Sequence, residues 1–180
     1  GTSAPTQSTD FIQTLSPPLQ LVIFGAGDDA MPLSNLARNM GWKNKICDSR
    51  SSFATSKRFP CADEVICIPA EEAATAFEWD DQTVAVVMTH HYRFDLPLLQ
   101  TLLPLNLTYL GLLGPKERGQ RLLQDAGFDP TSSNLRNPIG LDLGGDGAEA
   151  VALAIMAEIQ SHMHQRDGRP LSQRNLPIHG

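Results

Sequence analysis

The sequence is short of positive charge. It carries 14 Lys and Arg against 20 Asp and Glu, a formal net charge of −6 with a pI near 5.2. No basic stripe runs along it, so it cannot release counterions from a phosphate backbone, and nucleic acid is excluded as a partner. A small anion held by backbone N–H groups is not. Cysteine is scarce too. Cys47, Cys61 and Cys67 are odd in number and no pair is spaced as CxxC, which argues against a disulfide framework and a zinc knuckle. All three stand in or beside apolar strand-like segments and read as buried thiols of a reducing cytoplasm. A sulfur-handling or metal-binding cysteine is the functional alternative, but no Lys, His or second Cys stands nearby at a telling spacing. Long apolar runs are missing as well: mean hydropathy is −0.19 and nothing approaches the ~20 residues of a membrane helix. There is no basic n-region with an apolar h-region, hence no signal peptide, and no repeat of solenoid length.

What remains is 180 residues, 41% of them hydrophobic, enough for one domain with a sizeable core. Residues 1–17 are polar and rich in Ser, Thr and Pro and read as a linker, residues 18–166 as the domain, and residues 167–180 as a polar tail. Within the domain, strand-like runs are expected at Leu19–Phe24, Asn44–Asp48, Glu64–Ile68, Thr83–Thr89 and Leu107–Leu110. Between them lie helical patterns: one from Ala30 to Met40 ended by Gly41, a short one at Glu71–Phe77, and one from the HHYRFD segment to about Leu103. A further helix is expected at Lys116–Ala126, started by Pro115 at its first position, and a last one at Ala148–His164. An Asp146–Glu149 capping box opens the last helix, whose Val151, Ala152, Ile155, Met156 and Ile159 read as core. Strands alternating with helices of crossover length predict an α/β Rossmann-like fold: a doubly wound, mostly parallel sheet, order 3-2-1-4-5, with helices on both faces.

The chain is organised around LQLVIFGAGDDA at 19–30. A buried strand, a glycine turn and a helix start follow one another, and GAGDDA fits G-x-G-x-x-G/A. Gly25 allows the tight turn, Ala26 and Gly27 let a phosphate approach the backbone, and Ala30 keeps helix and sheet close. Asp48 follows about twenty residues on, at the end of the next strand, where an acid accepts hydrogen bonds from a ribose diol. Asp28 and Asp29 fall in the first helical turn. They favour the helix dipole and its free N–H groups, but they oppose an anion there unless they swing away or a cation intervenes.

Two loops join this turn. THHYRFD at 89–95 opens where strand order reverses, which puts Thr89, His90 and His91 at the mouth of the crevice. His91 and Asp95 stand four apart and share a face if the segment is helical, as a metal pair or an oriented acid–base would; the plainer reading has Asp95 capping the helix. GLLGPKERG at 111–119 brings Gly114 and the cations Lys116 and Arg118, which suit a phosphate or carboxylate. PIGLDLGGDG at 138–147 holds Gly140, Gly144, Gly145 and Gly147, a density that fits close backbone approach to a ligand or to another strand, or an irregular loop. His162, His164 and His179 fall in no pattern and are given no role.

These segments in order resemble the C-terminal Rossmann domain of the xanthine dehydrogenase accessory (maturation) factor family, XdhC-like. The resemblance is carried by GAGDDAMPLSNLARNMGW, CDSR with RFP, VVMTHHYRFDLPLL, YLGLLGPKERGQRLL, NPIGLDLGGDGAEAVALAIMAEI and GRPL…PIHG. It implies a cytoplasmic protein that binds molybdenum cofactor, of molybdopterin type, and aids its sulfuration or insertion into the apoenzyme of a xanthine dehydrogenase-like molybdenum hydroxylase. The pocket for that pterin or a nucleotide would be lined by Gly25, Ala26, Gly27, Asp28, Asp29, Asp48, Arg50, Thr89, His90, His91 and Gly114. Asp28 stands where the family often has His, and family members usually carry a separate N-terminal domain. The rival expectation is an NAD(P)-binding oxidoreductase, carried by GAGDDA and Asp48 but without a Tyr-x-x-x-Lys. A third is an interaction module, a homodimer through its last helix.

Overall fold

The computed structural model describes residues 17–131 and 133–173; the expected linker, up to residue 16, and the tail from residue 174, with His179, lie outside the described residues. Six parallel strands form one sheet: β1 (Gln20–Phe24), β2 (Lys43–Asp48), β3 (Glu64–Cys67), β4 (Thr83–Val87), β5 (Tyr109–Leu112) and β6 (Leu135–Arg136). Their order is β3-β2-β1-β4-β5-β6, so the expected order is found with one strand added at the edge. The helices are α1 (Ala30–Asn39), α2 (Tyr92–Leu102), α3 (Lys116–Asp125) and α4 (Ala148–Met163).

β1 and β4 are central, and alternation of their side chains divides the core in two. Leu21, Ile23, Val84 and Val86 face α1 and α4, where Leu33, Ala37, Ile155 and Ile159 meet them. Val22, Phe24, Ala85 and Val87 face the other layer, with Leu99, Leu102 and Leu122 from α2 and α3. Each fully buried Leu or Ile there contributes about 1.5–3 kcal/mol, so the apolar runs read from the sequence are the ones that fix the sheet.

Several expectations are corrected. The segment expected as helix Glu71–Phe77 is a 3-10 turn at Ala70–Glu72 followed by irregular chain, in which Phe77 and Trp79 pack against Phe24. The fifth strand lies two residues later than expected. α4 has no capping box: its N-cap is Gly147, with φ +95° and no side-chain bond. Pro115 is the residue before α3 rather than its first. Of the thiols expected to be buried, Cys47 is; Cys61 is half-buried and Cys67 exposed. Burial, with Asp48 and Cys67 beside it, pushes the Cys47 thiol up to about 12, so it stays protonated and unreactive at neutral pH.

Candidate functional site

The C-terminal ends of β1, β2 and β4 meet at the point where strand order reverses, and the glycine turn lies across them. Gly25 has φ +114°, and a Cβ there would lie 2.6 Å from the carbonyl oxygen of Met88. The turn is thus pressed against the end of β4, an approach that only glycine permits. On its other side the Gly25 N–H donates to the carbonyl of Cys47 at 2.8 Å.

Asp48, at the end of β2, accepts the N–H of Ala26 through Oδ2 at 2.7 Å. It also accepts from Arg50: Nη2 at 2.8 Å, Nε at 3.0 Å and the backbone N–H at 2.9 Å. Burial alone would raise its carboxyl, but the Arg50 guanidinium and the N–H groups of Ala26 and Arg50 outweigh it and hold the group below the usual carboxylate range. The spacing of the motif predicts that Asp48 faces a ribose. Here both its oxygens are engaged in holding the glycine turn and Arg50, because a buried carboxylate takes the nearest donors.

The two aspartates of the turn precede the first helical turn rather than standing in it as expected. α1 starts after them, and Asp29 makes no capping bond. Each carboxylate turns instead to a cation from another loop. Arg58 Nη2 donates to Asp28 at 2.7 Å and to the carbonyl of Ala26 at 3.2 Å. His90 Nε2 donates to Asp29 at 2.5 Å. That bond raises the His90 pKa above its ordinary value against the opposing effect of partial burial, and His90 is held with φ +62°.

Arg58 is a site residue that the sequence reading misses. It arrives from the chain after β2, anchored by buried Phe59 and by Asn44, which donates Nδ2 to the carbonyl of Cys61 at 3.0 Å and Oδ1 of which accepts from Ser34 at 2.6 Å. Phe53 lies beneath both arginines, its ring centroid 3.9 Å from the Arg50 guanidinium and 5.1 Å from that of Arg58. The one sequence signal is RFP itself, a cation next to an aromatic and a proline in an otherwise unassigned loop.

Thr89 closes the β4 side. Its hydroxyl donates to Asp95 at 2.5 Å and accepts the N–H of His91 at 3.1 Å. Asp95 is fully buried and also takes Arg118 Nη2 at 2.5 Å. The expected His91–Asp95 pair is therefore absent: Asp95 points inward, and His91 is exposed with its ring edge-on to Phe94. Arg118, expected to meet an anionic ligand, is taken by Asp95. Gly114, with φ +133°, passes close to Arg118, and its carbonyl accepts from Asn137 Nδ2 at 3.0 Å. It joins the site only through this chain of contacts.

Four ion pairs thus ring the crevice: Arg50–Asp48, Arg58–Asp28, His90–Asp29 and Arg118–Asp95. Beside them lies a small cavity of about 20 Å³ lined by Phe24, Cys47, Ser49, Ile68, Phe94 and Leu98, with Asp48 and Thr89 at its polar edge. That is room for about one water, so a ligand at this turn would lie over the crevice rather than inside this cavity.

Sheet order and glycine turn together define a Rossmann-type domain with its crevice at the topological switch point. The chain belongs to the XdhC Rossmann domain family, whose model matches residues 21–159. It is 40% identical over 149 residues to a probable xanthine dehydrogenase subunit of Bacillus subtilis, covering 83% of this chain and 44% of that protein. It is 25% identical over 156 residues to the molybdenum cofactor insertion chaperone PaoD of Escherichia coli, covering 84% and 42%. A crystal structure described as a xanthine dehydrogenase from Bacillus halodurans superposes with a TM-score of 0.76 at 34% identity, covering 91% of this chain and 46% of that one. The chain spans less than half the length of these relatives.

Proposed function

We propose that the chain is the cofactor-binding part of a maturation factor for molybdenum hydroxylases of the xanthine dehydrogenase type. In this reading its cargo is molybdenum cofactor, which it holds in the crevice while the cofactor is sulfurated and inserted into the apoenzyme. The observation that carries the reading is a family membership whose relatives include a named insertion chaperone, combined with a glycine turn whose amides are open to a phosphate arm. The amides of Gly27, Asp28 and Asp29 donate to no protein acceptor among the described residues, as an anion-binding turn requires. The residues present therefore fit the phosphate arm of the cargo: the turn takes the phosphate, Asp48 and Arg50 hold the turn in place, and Thr89 and His90 close the β4 side. The cytoplasm, where the apoenzyme and reduced thiols coexist, is the compartment this reading requires.

The NAD(P) alternative fits less well, because Asp48 would have to give up Arg50 and Ala26 to accept ribose hydroxyls. The test is reconstitution. Apo-hydroxylase is incubated with molybdenum cofactor with and without the chain, and its return of activity is followed. Faster or more complete activation is expected with the chain, and no saturable change in NADH fluorescence. Equal activation with and without it, together with saturable NADH binding, would overturn the proposal in favour of an oxidoreductase.

A further inference from the structure

Arg58 and His90 come from loops after different strands, β2 and β4, yet both reach the glycine turn after β1. Each meets one of two successive aspartates. Neither carboxylate makes a local bond: Asp29 is the N-cap residue of α1 but makes no capping bond, and the amides of Gly27, Asp28 and Asp29 beside them are left without protein acceptors among the described residues. Arg58 also keeps its Nε buried without a partner, an unmet donor in a guanidinium otherwise held by Asp28 and Ala26.

We propose that Asp28 and Asp29 are built-in stand-ins for the anionic oxygens of a phosphate-bearing ligand, and that Arg58 and His90 are the cations handed to that ligand when it binds. The inference rests on the cofactor-binding reading of the crevice and adds the ligand's charge and the two residues that meet it. Two features carry it. First, the charges match. With the carboxylates in place, a phosphate beside either would meet like charge. With them turned outward, the same spot offers two cations and three free N–H groups. Second, the exchange is cheap. Each pair has one exposed member, Asp28 at 89% and His90 at 52%, against more buried partners, Arg58 at 27% and Asp29 at 24%, so each pair opens toward water at one end.

The two roles give opposite outcomes. If the aspartates were a structural staple, neutralising them would loosen the loops and weaken anion binding. If they stand in for the ligand, neutralising them removes a competitor and strengthens it. The chain and its D28N/D29N variant are titrated calorimetrically with inorganic pyrophosphate at fixed low salt. The variant is expected to bind at least about fivefold more tightly, the effect of removing two weak competing pairs, and R58Q in that background to lose the gain. Binding by D28N/D29N that is equal to or weaker than that of the unaltered chain would overturn the proposal.

A second readout follows the His90 ring by NMR. In D29N its titration midpoint falls toward the ordinary value of ~6.5 and rises again when pyrophosphate is added. A midpoint in D29N that pyrophosphate leaves unmoved would also overturn it. The cofactor reading is scored separately. Saturable binding of molybdenum cofactor that D28N/D29N leaves unchanged sinks this inference and spares that reading; tightened pyrophosphate binding without any binding of the cofactor does the reverse.

Discussion

Replacing Gly25 by Ala should damage the fold far more than one methyl group ordinarily does. Two costs add. A side chain at φ +114° leaves the region that L residues adopt, at about 1–2 kcal/mol or more. The added Cβ would lie 2.6 Å from the Met88 carbonyl oxygen, 2.7 Å from its carbon and 2.8 Å from the Thr89 nitrogen. All three are backbone atoms at the end of a central strand and cannot swing aside, so the turn must move, at about 1–3 kcal/mol. The sum is about 2–5 kcal/mol, a midpoint lowered by about 1–2.5 M urea at a slope near 2 kcal/mol per M. Gly41 supplies the control. Its φ is +73°, but a Cβ there meets nothing within 4 Å, so G41A bears the conformational cost alone and loses about 0.5–1 M. Urea unfolding followed by circular dichroism compares the two directly. A G25A midpoint equal to that of G41A would refute the claim that the turn is pressed against β4.

Asp48→Asn removes the charge that holds Arg50 and Ala26 together and should cost about 2–4 kcal/mol at pH 7. Because the folded carboxyl is held below its ordinary value, its stabilisation is present above pH ~3.9 and lost as pH falls through the lower folded value. Denaturation at stepped pH should therefore show D48N and the unaltered chain converging only in acid. Arg118→Met strands the fully buried Asp95 with Thr89 alone and should cost about 3–5 kcal/mol, with part restored by D95N in the same chain, as measured by a double-mutant cycle. Tyr109→Phe removes the hydroxyl that donates to Glu158 at 2.8 Å, while the Gly140 N–H still reaches that carboxylate at 2.6 Å; the loss should be about 1 kcal/mol by thermal unfolding.

The parts of this structure legible in the sequence are those set by local pattern. β1, β2, β4 and the helices after β1 and β4 follow from apolar runs, glycines and period. Gly25, Gly27 and Asp48 follow from the spacing of one motif. β6 is not legible: two residues in a Pro- and Asn-rich loop carry no periodicity, and they pair only because β5 presents an edge at Leu110 and Gly111. The capping box is present as letters, but Gly147 takes a conformation that only glycine adopts readily and becomes the cap itself. The charge partners are the least legible. Asp28 meets Arg58 across 30 residues and Asp95 meets Arg118 across 23, and no local rule tells a cation that will fold back onto a turn from one that stays in water. Asp28 and Asp29 read from their neighbours as helix-start acids, and the cations they meet come from loops far away in the chain.

The most direct test of the central claim, that the crevice over the glycine turn holds molybdenum cofactor, is an equilibrium titration of the chain with that cofactor, repeated on Gly27→Val. Gly27 is half-buried at the turn, and a branched side chain there would stand where the phosphate arm approaches the backbone. Saturable binding by the unaltered chain, lost in the variant, is the expected result. No saturable binding, or binding that the valine leaves unchanged, would contradict it.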